Sequence, residues 1–457
     1  MRRISVVSVN PKSAAHALSQ PKRVRQILSL TLCLGTVFLG VSSSTPAEAN
    51  PFFVGRFSGL LGGPLDQSAF SLYWNPANLY TESAQLDLHI GVISRQATYT
   101  RKLREDATPD ELAANGGEST TSALGTVPSL AFHSGVALSK DLKLGFGAGV
   151  YIARAGTADW DRDPEASSAY PGAYDGPQRW SALSTFMLLV NYAAGASLEY
   201  GPLSVGAAIS AVDTTLSTTK AANADKSDEL TNPDGELKEG RIFLDDATGR
   251  ELSTTLGMAL DLEAFEFGYA WRLPVEYQLV GKAYILYSNA PETTADAQIQ
   301  LQVAESHLLS VAYTYEMMRF RLEYERQMWS IMDNQEILNF RNGQELLLLE
   351  RNFKDTNAYR LRLDYKLSDK VQLNTGMSYE EGVTPEEYHE PGLAEHDQVE
   401  FGLGLVFPIT ESLSLNTSFF YQHFFDRRVS NSAQSPHTNG DYTDHRQYLN
   451  FNLTWSL

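Results

Sequence analysis

The closing stretch Tyr448–Leu457, YLNFNLTWSL, sets Leu449, Phe451, Leu453, Trp455 and Leu457 against Tyr448, Asn450, Asn452, Thr454 and Ser456. Successive side chains of a strand point to opposite faces, so strict alternation describes a strand with apolar surroundings on one side and a polar space on the other. The pattern recurs in Leu86, Leu88, Ile90 and Val92, in Leu144, Phe146, Ala148, Val150 and Ile152, and in Val399, Phe401, Leu403, Leu405 and Phe407. Strands of ~10 residues with this period build a barrel that crosses a membrane, lipid outside and lumen inside.

The connections agree. Short turns are expected at Ser139–Leu142, Tyr200–Pro202, Leu262–Ala264, Tyr315–Met318, Leu367–Lys370 and Ile409–Ser412. Long polar loops are expected near 102–126, 154–178, 217–250, 283–294, 331–354, 381–397 and 427–444. A membrane barrel gathers its short turns at the periplasmic rim and its long loops at the other. Six turns alternating with seven loops predict an all-β chain, a transmembrane antiparallel β-barrel of about 14 strands.

The amino end reads differently. Residues 1–49 hold six Lys or Arg and one acid, then an apolar run from Ile27 to Val41, then Ala47-Glu48-Ala49. That order is the basic, apolar and small-residue sequence of a cleaved signal peptide. Cys33, the only cysteine, falls inside it, so the mature chain would carry no disulfide. The net charge of −19 argues against nucleic acid, whose phosphates call for basic patches.

Between leader and barrel lies Asn50–Leu79, rich in glycine and aromatic residues. Phe52, Phe53, Phe57, Leu60 and Leu61 would each lose roughly 1.5–3 kcal/mol if left in water. A fourteen-stranded barrel leaves a lumen that would leak solutes if open, and this segment reads as its plug. The expected division is therefore 1–49 signal peptide, 50–83 hatch and 84–457 barrel. Asn75-Pro76-Ala77 closes the hatch: proline fixes φ and pushes the preceding asparagine out of the helical region.

These segments resemble the FadL-like outer-membrane transporters of long-chain fatty acids and related hydrophobic compounds. The resemblance rests on Gly59 to Gly63, Asp66-Gln67-Ser68-Ala69, Asn75-Pro76-Ala77, Val127-Pro128-Ser129-Leu130, Gly145-x-Gly147-x-Gly149, Gly176-Pro177-x-Arg179-Trp180, Trp329-Ser330 and the run Gly376 to Pro391. It implies a bacterial outer-membrane, multi-pass barrel closed by a hatch, with capture of ligand by the outer loops, an apolar lumen site and lateral exit through a kinked third strand. In the strand Lys143–Ala153 the lumen face would carry Gly145, Gly147 and Gly149, a weakened wall or a bend that fits the curvature.

Two further groups stand out. Arg319 and Arg321 alternate with apolar residues, as do Arg360 and Arg362, so a charged ladder must face the lumen, since each charge on lipid would cost ~2–4 kcal/mol near the midplane. It reads as an ion-pair network, or as a source of a bidentate partner for a ligand carboxylate. In the 331–354 loop, Ile337, Leu338, Phe340, Leu346 and Leu348 flank Asn342-Gly343, a hairpin signal, and offer an outer hydrophobic landing surface. No catalytic or metal-ligating pattern is recognisable, so no cofactor and no enzyme chemistry are expected; Asp159-x-Asp161-x-Asp163 lacks the glycine and final acid of a calcium loop. The expected function is passive uptake of a hydrophobic small molecule by a monomer embedded in outer-membrane lipid, a long-chain fatty acid first and an aromatic hydrocarbon second; the rival of another class is an outer-membrane lipid hydrolase.

Deleting Asn50–Leu61 should leave the barrel folded, because its hydrogen bonds close from strand to strand without the plug. Uptake of labelled oleate should fall or small-solute leakage rise; unchanged values for both would remove the plug reading.

Overall fold

The computed structural model describes residues 62–163, 170–288, 291–393 and 395–457. The leader, and with it Phe52, Phe53, Phe57, Leu60 and Leu61 of the expected hatch, lies outside these residues. The described strands are, in chain order, β1 (Gln85–Arg101), β2 (Gly117–Ala137), β3 (Leu142–Asp159), β4 (Ser184–Tyr200), β5 (Leu203–Ala222), β6 (Gly240–Leu262), β7 (Phe265–Arg272), β8 (Val275–Leu286), β9 (Thr293–Val303) and β10 (Ser306–Tyr315). They continue with β11 (Met318–Gln327), β12 (Asn334–Asn339), β13 (Glu345–Glu350), β14 (Thr356–Lys366), β15 (Gln372–Glu380), β16 (Gln398–Pro408), β17 (Leu413–Phe424), β18 (Arg427–Val429) and β19 (Gly440–Ser456).

Fourteen of them, β1–β7, β10, β11, β14–β17 and β19, form a closed antiparallel ring. The ring shuts where β19 returns to β1, from Gln85↔Ser456 to Arg101↔Gly440. All six expected short turns fall between consecutive ring strands at one rim. The remaining strands stand on the opposite rim. β8 and β9 prolong β7 and β10 beyond Leu273-Pro274 and Ala304-Glu305, β12 and β13 form the Asn-Gly hairpin, and β12 lies against β9.

The expected loop at 217–250 is the main correction. β5 runs to Ala222 and β6 starts at Gly240, giving strands of 20 and 23 residues where ~9–11 would cross a bilayer. The outward-facing pair Asp213–Arg250 shows why the sequence misled: above it the outer face is polar, so the apolar alternation stops although the ladder continues. Below it Leu252, Met258 and Leu262 face outward and exposed.

At the long-loop rim Arg179, fully buried, ties three segments together. It donates to Glu239, to the Ala114 carbonyl and to Asn115 Oδ1. The preceding Gly176-Pro177 turn aims it there, with Gly176 at φ 81°, a left-handed conformation suited to glycine. Asn115 ends helix α1 of this loop region, Pro109–Asn115, which opens with a capping box between Thr108 and Glu111.

Residues 62–80 lie inside the ring at the short-turn end. A single helical turn, Ser71–Trp74, leads to Asn75 in extended conformation and a 3-10 turn, Pro76–Asn78. Asn75 Oδ1 accepts from the Ala77 N–H, while its Nδ2 donates to the Pro64 carbonyl at 2.8 Å and to the Met258 carbonyl of β6 at 3.0 Å. One asparagine thus pins the segment to itself and to the wall.

The wall receives this segment on glycine. A Cβ at Gly145 would lie 2.4 Å from the Tyr80 nitrogen, at Gly206 2.4 Å from the Pro76 carbonyl carbon, and at Gly257 2.0 Å from Asn75 Oδ1. Gly195 and Gly268 meet Leu72 and Leu65 in the same way. A methyl group at most of these positions would lift the segment off the wall.

Gly147 makes the test. Its Cβ would stand 2.9 Å from the Phe132 carbonyl and 3.0 Å from Leu79 Cδ2. Gly147→Val should therefore destabilise the barrel by about 1–3 kcal/mol through overpacking, read as loss of the heat-resistant band on unboiled gels; a variant as heat-resistant as the parent would contradict the close seat.

Candidate ligand path

The largest apolar cluster lies towards the long-loop rim. It combines Met187 and Leu189 of β4, Val212 and Leu216 of β5, Leu244 of β6, Tyr277 and Leu279 of β8, Ile299 and Leu301 of β9, and Ile337 of β12. Trp329, Phe353, Val383 and Leu393 close it from the loops. Alternation explains the wall: each of these strands turns its outward residues to solvent or lipid and its intervening ones here.

A cavity of about 60 Å³ opens among Met187, Leu216, Leu244, Leu301, Ile337, Leu347, Leu349 and Leu393. Lys220, two alternations beyond Leu216 on the same face of β5, lines it. Among the described residues Lys220 forms no hydrogen bond and no ion pair within 4 Å. The other charges there, Arg351 and Glu390, are bonded to each other, and Gln335 accepts from Arg351 at 3.1 Å. The cavity is mainly apolar, and Lys220 is a charged group on it without a hydrogen bond of its own; the opposite charge that acts on it, Glu390, is already held by Arg351.

Nearby, loop 381–397 folds into the ring. His389, fully buried, packs edge-on against Tyr442 and His396. Burial pushes the His396 imidazole down to about 4 and the Glu395 carboxyl well above the usual range.

The opposite wall carries the charged ladder. Arg321, Glu323, Glu325, Arg360, Arg362 and Asp364 are buried, while Leu322 and Leu361 between them are 61% and 50% exposed. Arg360 is paired with Glu325, and Arg319 with Glu266. Arg321 and Arg362 both reach Asp66 of the inward segment, and Arg362 also donates to the Gly62 carbonyl. These expected carboxylate partners do meet a carboxylate, one from this chain.

The seam between β2 and β3 is the break in the ring. The two strands pair only from Leu130↔Val150 to Ala137↔Lys143, and the next link is the single bridge Thr121↔Trp160. In between, 122–129 stays laddered to β1 and 151–159 to β4, so the two strands part without losing their outer partners. An extra residue at Ala153, a bulge in the pairing with β4, turns β3 away. Pro128 sits in the parted stretch of β2, where a missing donor is tolerated. On β2 the inner face here is small, with Gly125, Val127 and Ser129 buried; on β3 the register beyond the bulge turns Arg154 and Gly156 inward beside Leu189 and Met187, with the Arg154 guanidinium 5.7 Å from the Trp329 ring, and Ala155 lies on the other face.

Gly145, Gly147 and Gly149, expected to weaken the third strand, lie below this seam and are laddered on both sides. They form part of the seat for Leu79 and Tyr80, with Gly149 against Ala131. Of the expected landing residues, Ile337 is buried in the apolar cluster, Leu346 packs on it, Leu338 and Leu348 are half-buried, and Phe340 is exposed. The hairpin is thus the cavity's wall more than an open surface. Lys220 carries no motif in the sequence; a lysine at the end of an inward-facing apolar row is its one visible signal.

Below the inward segment a polar cavity of about 980 Å³ faces the short-turn rim, lined among others by Asp66, Glu82, Glu199, Asp261, Glu263, Glu266, Lys143 and Arg319.

Known proteins with the same architecture can now be set beside this geometry. Residues 62–454 match the family model described as outer membrane protein transport protein (OMPP1/FadL/TodX). The crystal structure of a Pseudomonas aeruginosa FadL homologue superposes with a TM-score of 0.71 at 14% identity, covering 90% of this chain and 99% of that one. The Pseudomonas putida toluene transporter TodX gives 0.64 at 15% identity, covering 89% and 99%. The Ralstonia pickettii toluene transporter TbuX gives 0.61 at 15%, covering 89% and 99%. No curated protein sequence matches the chain. A fourteen-stranded ring, an inward amino-terminal segment and a match across nearly the whole chain place the protein in the FadL/TodX family of outer-membrane transport proteins.

Proposed function

We propose that the barrel takes up long-chain fatty acids passively across the bacterial outer membrane. In this reading the hydrocarbon chain occupies the apolar cluster, the carboxylate meets Lys220, residues 62–80 act as the hatch, and the ligand leaves sideways through the β2–β3 seam. Lys220 carries the choice of ligand. Its nearest opposite charge, Glu390, is already held by Arg351, and a poorly compensated charge in largely apolar surroundings is costly until it is matched. A carboxylate supplies the match, whereas an aromatic hydrocarbon, the cargo named for TodX and TbuX, would leave the ammonium unpaired. The closed cavity holds only the head of such a ligand, so the chain must displace Leu347 and Leu349 of the β12–β13 hairpin to enter.

The two ends of the lumen support a sideways route. An alkyl chain gains ~25 cal/mol for each Å² removed from water, a gain the acidic cavity below the hatch cannot provide. The seam, lined on β2 by small side chains and opening towards the hydrocarbon layer, can. Ring closure elsewhere forbids other exits, because an opened ladder in lipid leaves backbone groups unsatisfied.

Two outcomes are expected. Lys220→Met should weaken oleate binding to the purified protein by roughly 10–100-fold, the range for losing a charge-assisted hydrogen bond, and should spare toluene. Equal loss of both ligands, or of neither, would count against the carboxylate site.

The seam is tested by linking it. Gly125→Cys with Gly156→Cys, both on the inner face, in a mature chain expected to hold no other thiol, should stop labelled-oleate uptake on oxidation and restore it on reduction. If no disulfide forms because the Cα atoms stand more than ~7 Å apart, a longer bis-maleimide serves. Full uptake through a linked seam would send the exit elsewhere.

A further inference from the structure

Arg362 stands between two claims on its donors. Its Nη2 donates to the Gly62 carbonyl and its Nη1 lies 3.4 Å from Asp66 Oδ2, both on the inward segment. Its Nη2 is also 3.4 Å from Glu323 Oε2, on the neighbouring wall strand β11. Glu323 is 1% exposed, and among the described residues neither of its carboxylate oxygens accepts a hydrogen bond. It is covered by the segment itself: a Cβ on Gly63 would come within 2.5 Å of Glu323 Oε1. The seated segment thus takes the donors that a buried carboxylate lacks and seals that carboxylate from water.

The rest of the wall does not need Asp66. Arg321 keeps Asp364 at 2.9 Å, Arg319 keeps Glu266, and Arg360 keeps Glu325. Without Asp66, Arg362 keeps Glu323, so no arginine would be left as an uncompensated buried charge, the situation that makes breaking a buried pair costly. Asp66 is the only charged residue among 62–80, and it already lines the polar cavity beneath, where water can receive it.

We propose that Arg362 is a two-position gating residue: bonded to Gly62 and Asp66 it holds the hatch seated, and turned to Glu323 it lets the hatch go. Glu323 is the competing acceptor that keeps the seated state releasable. A wall of satisfied pairs would hold the hatch permanently; a wall without arginine would not hold it at all. The device rests on the reading of residues 62–80 as a hatch and adds the pair of states between which it moves.

The two carboxylates should act in opposite directions. Asp66→Asn removes the hatch's claim on Arg321 and Arg362 and should raise the frequency of spontaneous openings in planar bilayers roughly tenfold or more, the scale of a charge-assisted bond. Glu323→Gln removes the competing charge and should lower openings by a similar factor. Heat-resistant gel mobility confirms that each variant is folded. Should E323Q fail to assemble, E323D, which keeps the charge but withdraws it by one methylene, is expected to change openings in the same sense as E323Q, by a smaller factor. Openings that shift in the same direction for D66N and E323Q, or in neither, overturn the switch. Oleate binding in detergent separates this from the uptake reading: it should stay within about twofold of the parent in both variants, since Lys220 is untouched, and its absence in the parent protein would count against the fatty-acid reading instead.

Discussion

Every backbone N–H and C=O in the hydrocarbon layer must find a partner within the protein, and the fourteen-strand ring is how this chain meets that demand. The closure of β19 on β1, seventeen residue pairs long, leaves no edge. Once the ring is closed, the lumen follows from the number of strands, and so does the need to fill it. The place where the ladder parts also gains meaning: between Leu130↔Val150 and Thr121↔Trp160 the wall departs from the rule that governs the rest of it. A departure tolerated there calls for compensation, and the bulge at Ala153, the proline at 128 and the small inner side chains of β2 are the local means.

The lumen is divided by chemistry. Strands β4–β9 turn aliphatic side chains inward, while β11 and β14 turn arginine and carboxylate inward. Both arrangements obey the same period of two, since what faces lipid must be apolar and the inward positions are left free for either use. The apolar side carries Lys220 at its outer end. The charged side suits attachment of the inward segment, because carbonyls of residues 62 and 65 and the Asp66 carboxylate are all acceptors and arginine offers donors in a fixed fork.

Attachment differs around the segment. Towards β11 and β14 it is held by charge-assisted bonds; towards β3–β7 it rests closely on glycine and is pinned by the Asn75 bond to the Met258 carbonyl. Arg272 bridges the two regimes, donating to the Tyr73 carbonyl, lying 4.2 Å from the Tyr73 ring and pairing with Glu325.

The sequence by itself determined the barrel. Alternation in Tyr448–Leu457 and its counterparts, the six short turns, and the inward direction of Arg319, Arg321, Arg360 and Arg362 all follow from local periodicity and the cost of charge in lipid, so they were readable without a partner strand. The extent of β5 and β6 was not, because outside the bilayer the outer face becomes polar and the alternation in hydrophobicity vanishes while the ladder goes on. Nor could the glycines of β3 be assigned: as sequence they signal a close approach, and only the fold shows that Leu79 and Tyr80 are what approaches. Asp66 lies 255 residues from Arg321 and 296 from Arg362, and Lys220 is notable only because Arg351 and Glu390, far along the chain, have paired with each other. Such matches and mismatches of charge depend on register around the whole ring, and register is fixed only when the ring closes.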